Sequence, residues 1–206
     1  VVYTSDHGDQ LGSQGWCNKQ LPYEESIRVP LLLQGPGLAR GRSDALIGLT
    51  DLPVTLLARL GVSMPDAEGE DLSELLDEPS AAGPEARYIF DLVPCHQSAW
   101  RGTGAWRGVR TRRHTYACHD DGSAWLLFDN QADPYQLDNL AGRPQVAALQ
   151  ARLHAATAAY AARYDALIPW SDLLRREGRV DDWNRSQRAF SLPQLPNNPE
   201  PPQDPA

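Results

Sequence analysis

Two adjacent side chains near the start of the chain could bind one divalent cation. Asp6 and His7 directly follow residues 1–4, a β-branched and aromatic segment that predicts a buried strand. Polar groups at the end of a buried strand are a common way for α/β sheets to present a functional site. A carboxylate and an imidazole can both reach a single cation, although two ligands do not complete a site. Taken alone, such a pair is more often a capped turn beside a hydrogen-bonded histidine.

A third candidate, Lys19, lies in residues 5–26, where glycines and a proline interrupt every helical or strand period. A flexible ammonium group is a good point-charge partner for a tetrahedral oxyanion. The nearby carboxylates Glu24 and Glu25 are predicted to be structural, because adjacent residues of a strand point to opposite faces and cannot share a proton. Arg28 precedes an apolar segment and is predicted to anchor the loop through an ion pair.

The elements that must position these groups indicate an α/β protein. Residues 29–33 predict a second strand, which ends at a Gly-Pro-Gly turn. Residues 50–61 predict a helix with Thr50 as its N-cap. The Pro-, Gly- and acid-rich residues 62–85 then predict a surface connection. The order strand, loop, strand, helix is typical of α/β architecture.

The second half of the chain predicts a different arrangement. Short strands between residues 87 and 129, with no long helix among them, favour a small antiparallel sheet with a hairpin turn at 119–122. Residues 144–168 predict a long amphipathic helix. Its apolar face contains Val146, Leu149, Leu153, Ala156 and Tyr160. Residues 193–206 hold six prolines and predict a disordered or extended tail. We therefore expect three parts, at 1–85, 86–170 and 171–206.

The composition restricts the possible partners. The 206 residues carry 19 basic and 27 acidic side chains, a net charge of −8. This acidic excess argues against nucleic-acid binding and against a polybasic membrane patch. No stretch reaches 18 apolar residues, so no membrane span is predicted. The three cysteines lack C-x-x-C spacing and are predicted to be free thiols. Because the chain opens without methionine, in an apparent strand, we expect it to be part of a longer protein.

Three groups of motifs occur in a recognisable order. They are Thr4-Ser5-Asp6-His7-Gly8 with Leu11-Gly12, Lys19, Tyr23-Glu24 and Arg28-Val29-Pro30-Leu31; Thr50-Asp51-Leu52-Pro53-Val54-Thr55-Leu56-Leu57 with Gly61 and Pro65; and Arg107-Gly108-Val109-Arg110-Thr111 with Tyr116, Leu127-Phe128-Asp129 and residues 133–140. Over about residues 1–165 this order resembles the sulfatases of the alkaline phosphatase superfamily. The resemblance implies the C-terminal part of an alkaline-phosphatase-like sandwiched α/β sheet, followed by a small antiparallel sheet with a packed helix.

The resemblance also implies a chemistry. Asp6 and His7 would bind a divalent metal, Ca²⁺ first and Mg²⁺ or Mn²⁺ as alternatives, and Lys19 would contact the sulfate group. The substrate would be a small sulfate ester, attacked by a formylglycine. His96 follows a predicted strand and is a further candidate for substrate binding. Arg107, Arg110, Arg112 and Arg113 are predicted to form a solvated strand face. Trp106 and Trp125 are predicted to pack in the sheet, and His114 and His119 to be solvated or hydrogen-bonded.

The sequence departs from the family at the nucleophile. No C-x-P-x-R or S-x-P-x-R motif is present, and Cys17, Cys95 and Cys118 all lack the proline. We therefore expect the formylglycine and further metal-binding aspartates to lie upstream, and this chain alone to be inactive. The Asp-His pair is similar to choline sulfatases and phosphonate monoester hydrolases, whereas many arylsulfatases carry Asn in place of His7. Hydrolysis of phosphonate monoesters or phosphodiesters, or a non-catalytic fragment, are the alternatives.

Overall fold

In a computed structural model, whose described residues are 1–92, 103–164, 170–183 and 185, the chain forms two antiparallel sheets with helices around them. The small sheet pairs β1 (Val2–Tyr3) with β2 (Leu32–Leu33). The large sheet has the order β3-β4-β5-β6, with strands Ala86–Asp91, Trp106–Thr111, His114–His119 and Ala124–Asp129. The helices are α1 (Glu24–Ile27), α2 (Asp51–Arg59), α3 (Glu74–Asp77), α4 (Ala147–Tyr164) and α5 (Trp170–Arg176).

The first strand is shorter and more exposed than the sequence predicts. Only Val2 and Tyr3 are in β1, and their exposed fractions are 43% and 60%. The prediction of a buried strand is therefore wrong for this chain. The cause is that β1 pairs only with β2 among the described strands, and a two-stranded ribbon of two-residue strands is too small to bury its own side chains.

The four-stranded sheet packs one face against α4. Val109 of β4, Tyr116 of β5 and Leu127 of β6 are cross-strand neighbours, and they form a buried cluster with Leu153 of the helix. The predicted apolar face of the helix is confirmed, because its remaining members also pack against this cluster. Gly108 is required within the sheet, since a Cβ there would lie 2.0 Å from the carbonyl oxygen of Tyr116. The predicted hairpin turn is confirmed by the hydrogen bond from the amide of Gly122 to the carbonyl of His119.

The opposite face of the sheet packs on the loop that carries the candidate site residues. Trp106, Ala117, Leu126 and Phe128 form its buried cluster, and Tyr23 packs against them. The rings of Tyr23 and Phe128 lie 5.8 Å apart. Trp106 and Trp125 thus pack in the sheet as predicted. This face joins the sheet to the N-terminal residues, and it therefore supports the candidate site.

An ion-pair network joins α2 to the large sheet. Asp51 is 2% exposed, and its carboxylate accepts hydrogen bonds from the amides of Gly48 (2.7 Å) and Glu70 (2.9 Å). Arg87 of β3 lies 2.8 Å from the same carboxylate. The predicted N-cap role of Thr50 is wrong, because its backbone is already helical and its side chain makes no capping bond. The Asp51 carboxylate binds the preceding loop instead.

Removal of this buried carboxylate is expected to destabilise the fold. In Asp51→Ala, two amides lose their acceptor and the mostly buried Arg87 loses one of its two acidic partners while it keeps Glu70, which together costs about 3–5 kcal/mol. Urea unfolding of the 206-residue chain measures the change. The matched control is Asp66→Ala, which removes an exposed carboxylate between α2 and α3. Its free energy of unfolding is expected to stay within about 0.5 kcal/mol of the parent value. A loss below about 1 kcal/mol in Asp51→Ala would contradict the assigned role.

Two other predictions need correction. Residues 62–85 are not only a surface connection, because α3 buries Leu75 and Leu76. Arg107 and Arg110 are not a solvated face, because they are 12% and 16% exposed and form ion pairs with Asp120 after β5 and with Glu24 of α1. His119 is half-buried and stacks on Trp125, with 5.0 Å between ring centroids.

The remaining predictions concern the cysteines and the parts of the chain outside the described residues. Cys118 is buried and Cys17 is exposed, both as thiols outside any disulfide, and burial raises the pKa of the Cys118 thiol. His96, Cys95 and the Pro-rich tail lie outside the described residues. The three-part division of the chain stays a prediction. Within the described ranges, no helix combines the length and apolar character needed to cross a bilayer.

Candidate functional site

Asp6, His7 and Lys19 come together at the end of β1. The Nε2 atom of His7 lies 3.3 Å from Oδ2 of Asp6 and 2.8 Å from Nζ of Lys19. Twelve residues separate the histidine from the lysine, so the loop between them folds back on the strand end. A carboxylate, an imidazole nitrogen and an ammonium therefore share one small region.

The Asp6 carboxylate is oriented by local hydrogen bonds. Its Oδ1 accepts from the hydroxyl of Ser5 (3.2 Å) and from the amide of His7 (3.0 Å). Slight desolvation raises the pKa of Asp6, but backbone hydrogen bonds, the nearby His7 and the Ser5 hydroxyl outweigh it and hold the pKa below its usual value. Because Oδ1 is used in this way, Oδ2 is directed toward the Nε2 atom of His7.

The hydrogen bonds of His7 define its tautomer. Nδ1 lies 2.8 Å from the carbonyl oxygen of Gly8, and a carbonyl can only accept, so Nδ1 carries the proton. Nε2 then presents a lone pair, which accepts from the Lys19 ammonium. A histidine whose other nitrogen is held by a carbonyl is the usual arrangement for a metal ligand. One lone pair serves one partner at a time, so a cation at Nε2 would displace the lysine.

Gly8 sets the distance between this strand end and α1. Its amide donates to the carbonyl of Ser26 at 2.9 Å, and a Cβ on Gly8 would lie 1.9 Å from the carbonyl oxygen of Glu25. Any side chain at this position would push the helix away from the strand end. The glycine therefore fixes the separation between Asp6-His7 and the helix.

The Lys19 loop contains strained backbone. Asn18 and Gln20, directly before and after the lysine, have φ values of 68° and 73°, the left-handed region that residues other than glycine rarely adopt. The carbonyls of both residues accept hydrogen bonds from residues outside the segment 18–20. That of Asn18 accepts from the amide of Gln10 (2.7 Å), and that of Gln20 accepts from the indole of Trp106 (3.0 Å). Such strain persists only where surrounding contacts enforce it.

Glu24 joins α1 to the four-stranded sheet. Its carboxylate accepts two hydrogen bonds from Arg110, at 2.6 and 3.0 Å, and its amide donates to Oε1 of Gln136. The structural role predicted for Glu24 is confirmed, although it lies in a helical turn and not in a strand. Arg28 is mostly exposed and reaches Glu24 only at 3.8 Å, so its predicted ion pair is weak.

The donor set of the site fits a divalent cation in part. Oδ2 of Asp6 and Nε2 of His7 converge, and a carboxylate with an imidazole suits Mn²⁺, while Ca²⁺ and Mg²⁺ prefer more oxygen ligands. In the part of the chain that the structure describes, no group of three or more acidic, histidine or cysteine side chains could hold a metal. Any remaining ligands would have to come from outside these residues.

Sequence reasoning missed the residues that support the loop. The bond from Trp106 to Gln20 and the pair of Arg110 with Glu24 each join positions 86 residues apart. The only signal in the sequence was the aromatic character of Trp106, which predicts a buried side chain but does not identify the residue it contacts.

Comparison with known proteins identifies the family. Residues 12–162 match the family model described as N-sulphoglucosamine sulphohydrolase, C-terminal. The chain belongs to the sulfatase family. It is 36% identical over 161 residues to the ulvan-active sulfatase of Formosa agariphila, which covers 75% of this chain and 31% of that relative. It is 30% identical over 194 residues to the choline-sulfatase of Rhizobium meliloti, covering 89% and 34%. The chain thus spans about a third of the length of these sulfatases, and the predicted resemblance is confirmed.

Solved structures agree with this assignment. A neighbour in complex with its substrate D-glucosamine-2-N,6-O-disulfate aligns with a TM-score of 0.70 and 27% identity, covering 82% of this chain and 35% of that one. A phosphonate monoester hydrolase from Silicibacter pomeroyi aligns with a TM-score of 0.66 and 26% identity, covering 81% and 35%. The predicted α/β fold of a sulfatase C-terminal part is therefore confirmed.

Proposed function

We propose that this chain forms the C-terminal part of a metal-dependent sulfatase that hydrolyses small sulfate esters. Membership of the sulfatase family supports the reaction class. The observation that carries the site assignment is the convergence of Asp6, His7 and Lys19 within 3.3 Å at the end of β1. The metal is Ca²⁺, with Mg²⁺ and Mn²⁺ as alternatives; Ca²⁺ requires that the ligands from outside the described residues be oxygens, since Asp6 and His7 alone suit Mn²⁺ better. The nucleophile is a formylglycine outside this chain.

Each residue has a defined part in this proposal. Oδ2 of Asp6 and Nε2 of His7 bind the cation, and Gly8 holds the imidazole in the tautomer that frees Nε2. The Lys19 ammonium lies against the sulfate and offsets the negative charge that grows on its oxygens in the transition state. The bound cation would supply Lewis-acid charge stabilisation for the transferred group.

The proposal is tested by extending the reading frame upstream of the Val1 codon and assaying the complete polypeptide. A frame of some 250 residues or more that carries C-x-P-x-R or S-x-P-x-R, together with metal-dependent hydrolysis of 4-nitrophenyl sulfate, would support it. A frame without that motif would leave a degenerate relative that keeps the fold without catalysis.

The 206-residue chain by itself is expected to show no turnover of an aryl sulfate. Its described residues offer two metal ligands and a lysine but no activated nucleophile, and these parts act as a unit in catalysis. The measurement is release of 4-nitrophenol from 4-nitrophenyl sulfate by the purified chain, with added Ca²⁺, Mg²⁺ or Mn²⁺. Metal-stimulated turnover above a sample of the Asp6→Ala chain would contradict the expectation.

A second candidate function is hydrolysis of phosphonate monoesters or phosphodiesters. His7, where many arylsulfatases carry Asn, and the structural likeness to a phosphonate monoester hydrolase favour it. Paired kinetics of the complete polypeptide on 4-nitrophenyl sulfate and bis-4-nitrophenyl phosphate separate the two. A larger kcat/KM for the sulfate ester supports the first proposal, and a larger value for the phosphodiester supports the second.

A further inference from the structure

We propose that Trp106 is a positioning residue for Lys19, so that the four-stranded sheet takes part in building the catalytic site. This inference rests on the proposed function, since it gives Lys19 the role of contacting the sulfate. Trp106 is the first residue of β4, and its side chain is 2% exposed. Its indole N–H donates to the carbonyl of Gln20, the residue directly after the lysine, at 3.0 Å.

The indole is held rigidly enough to act as an anchor. It is buried with Ala117, Leu126 and Phe128 on the face of the sheet opposite α4. Trp125 meets it edge-on, with 6.3 Å between ring centroids. A buried aromatic ring with packed neighbours has a single orientation. Its N–H therefore defines one place for the Gln20 carbonyl.

The backbone at Gln20 needs such an anchor. Gln20 has a φ of 73°, and Asn18 on the other side of the lysine has a φ of 68°. Without outside contacts Gln20 would relax toward negative φ, since the left-handed region is unfavourable for a glutamine side chain, whereas an asparagine such as Asn18 tolerates it. Rotation at Gln20 would redirect the Cα–Cβ bond of Lys19 and carry its Nζ away from the Nε2 atom of His7.

A second contact places the other side of the lysine. The carbonyl of Asn18 accepts from the Gln10 amide, and the Asn18 amide donates to Oδ1 of Asp9 at 3.2 Å. Asp9 and Gln10 directly follow the Asp6-His7-Gly8 segment. Lys19 is therefore held between the metal-ligand segment on one side and the sheet on the other. Trp106 is the contact that comes from the sheet.

The experiment uses the fact that Lys19 is the single lysine of the chain. A sample labelled with ¹⁵N-lysine gives one ammonium resonance, which reports the contact with His7. In the 206-residue chain at fixed pH with a chelator present, Trp106→Phe is expected to shift this resonance and that of His7 Nε2. Trp125→Phe, a matched loss of an indole in the same cluster that keeps an aromatic ring against Trp106 and the Trp106 N–H itself, is expected to shift both resonances much less than Trp106→Phe does. Unchanged resonances in folded Trp106→Phe would overturn the proposal.

The kinetic test is a double-mutant cycle in the complete polypeptide. Trp106→Phe is expected to lower kcat about tenfold, since misplacing a catalytic group by a fraction of an ångström has effects of this order. In a Lys19→Met background the same change is expected to cost less than about twofold, because the lysine through which Trp106 acts is gone. An equal loss in both backgrounds would mean that Trp106 only stabilises the fold, and would overturn the proposal.

A second variant covers the case in which phenylalanine leaves too large a gap. Incorporation of 3-benzothienylalanine at position 106 replaces the indole N–H by sulfur and keeps the bicyclic ring. It is expected to reproduce both the resonance shift and the loss of kcat, and a parent-like spectrum would overturn the proposal. A complete polypeptide that hydrolyses no sulfate ester would refute the proposed function, while the resonance measurement would still decide whether Trp106 positions Lys19.

Discussion

Asp6→Ala in the complete polypeptide is expected to abolish sulfate ester hydrolysis, with kcat/KM at least about 10³-fold lower. Oδ2 of Asp6 and Nε2 of His7 are the two donors that converge in this chain, and removal of the carboxylate leaves the imidazole as its one remaining donor. A neutral nitrogen does not replace the charged oxygen ligand that a hard divalent cation prefers, so the complete site is expected to lose its metal or to hold it out of position. The measurements are kcat/KM for 4-nitrophenyl sulfate and the metal content of the protein after gel filtration.

The control for this prediction is Asp44→Ala. Asp44 is an exposed carboxylate that pairs with Arg42 away from the strand end, so its loss changes the net charge by the same amount. Metal content and turnover are expected to be those of the parent. Near-normal turnover with a full complement of metal in Asp6→Ala would remove Asp6 from the proposed site.

Lys19→Met in the complete polypeptide is expected to lower kcat by about 10²–10³, the usual cost of removing one charged group that stabilises a transition state. Methionine keeps the apolar stem and removes the ammonium. The substitution removes the ammonium group that contacts His7, while Asp6 keeps its hydrogen bond from Ser5 and His7 keeps its hydrogen bond to Gly8. The metal content is therefore expected to be unchanged, and this distinguishes Lys19 from Asp6 and His7, the two proposed metal ligands.

The matched control here is Arg28→Ala. Arg28 is another cation of the same segment, but it is mostly exposed, and the ion pair that the structure shows for it, with Glu24, is long at 3.8 Å. Since Glu24 keeps two hydrogen bonds from Arg110, the loop is expected to stay in place and kcat to change less than about twofold. A similar loss of kcat in Arg28→Ala and Lys19→Met would point to a general charge effect instead of a contact with the sulfate.

The large sheet and its helix could be predicted because their signals are local. Short β-branched and aromatic segments identify the strands of the large sheet, and the 3.6-residue period of Leu149, Leu153 and Ala156 identifies the face of α4 that packs on the sheet. The grouping of Asp6, His7 and Lys19 could not be derived from any period. It was predicted only through the resemblance of the motifs to a family.

The remaining features have physical reasons to escape a sequence analysis. The helix α1 is four residues long, too short to show a period, so Glu24 was assigned to an extended segment. The left-handed backbone of Asn18 and Gln20 is imposed by partners elsewhere in the chain and not by their own preferences. The exposure of β1 depends on which strands lie beside it, and this is a property of the assembled sheet.

The long-range bonds of the site loop have a consequence for the order of folding. The loop is joined to the sheet and the segment after it by bonds from Gln14 to Tyr135, from Glu24 to Gln136, from Arg110 to Glu24 and from Trp106 to Gln20, across 86 to 121 residues. Such contacts pay a large loop-closure entropy before they stabilise anything, whereas β4, β5 and β6 are joined by short turns. The hairpins of β4, β5 and β6 therefore form first, and the site loop becomes ordered only when it packs against the completed sheet.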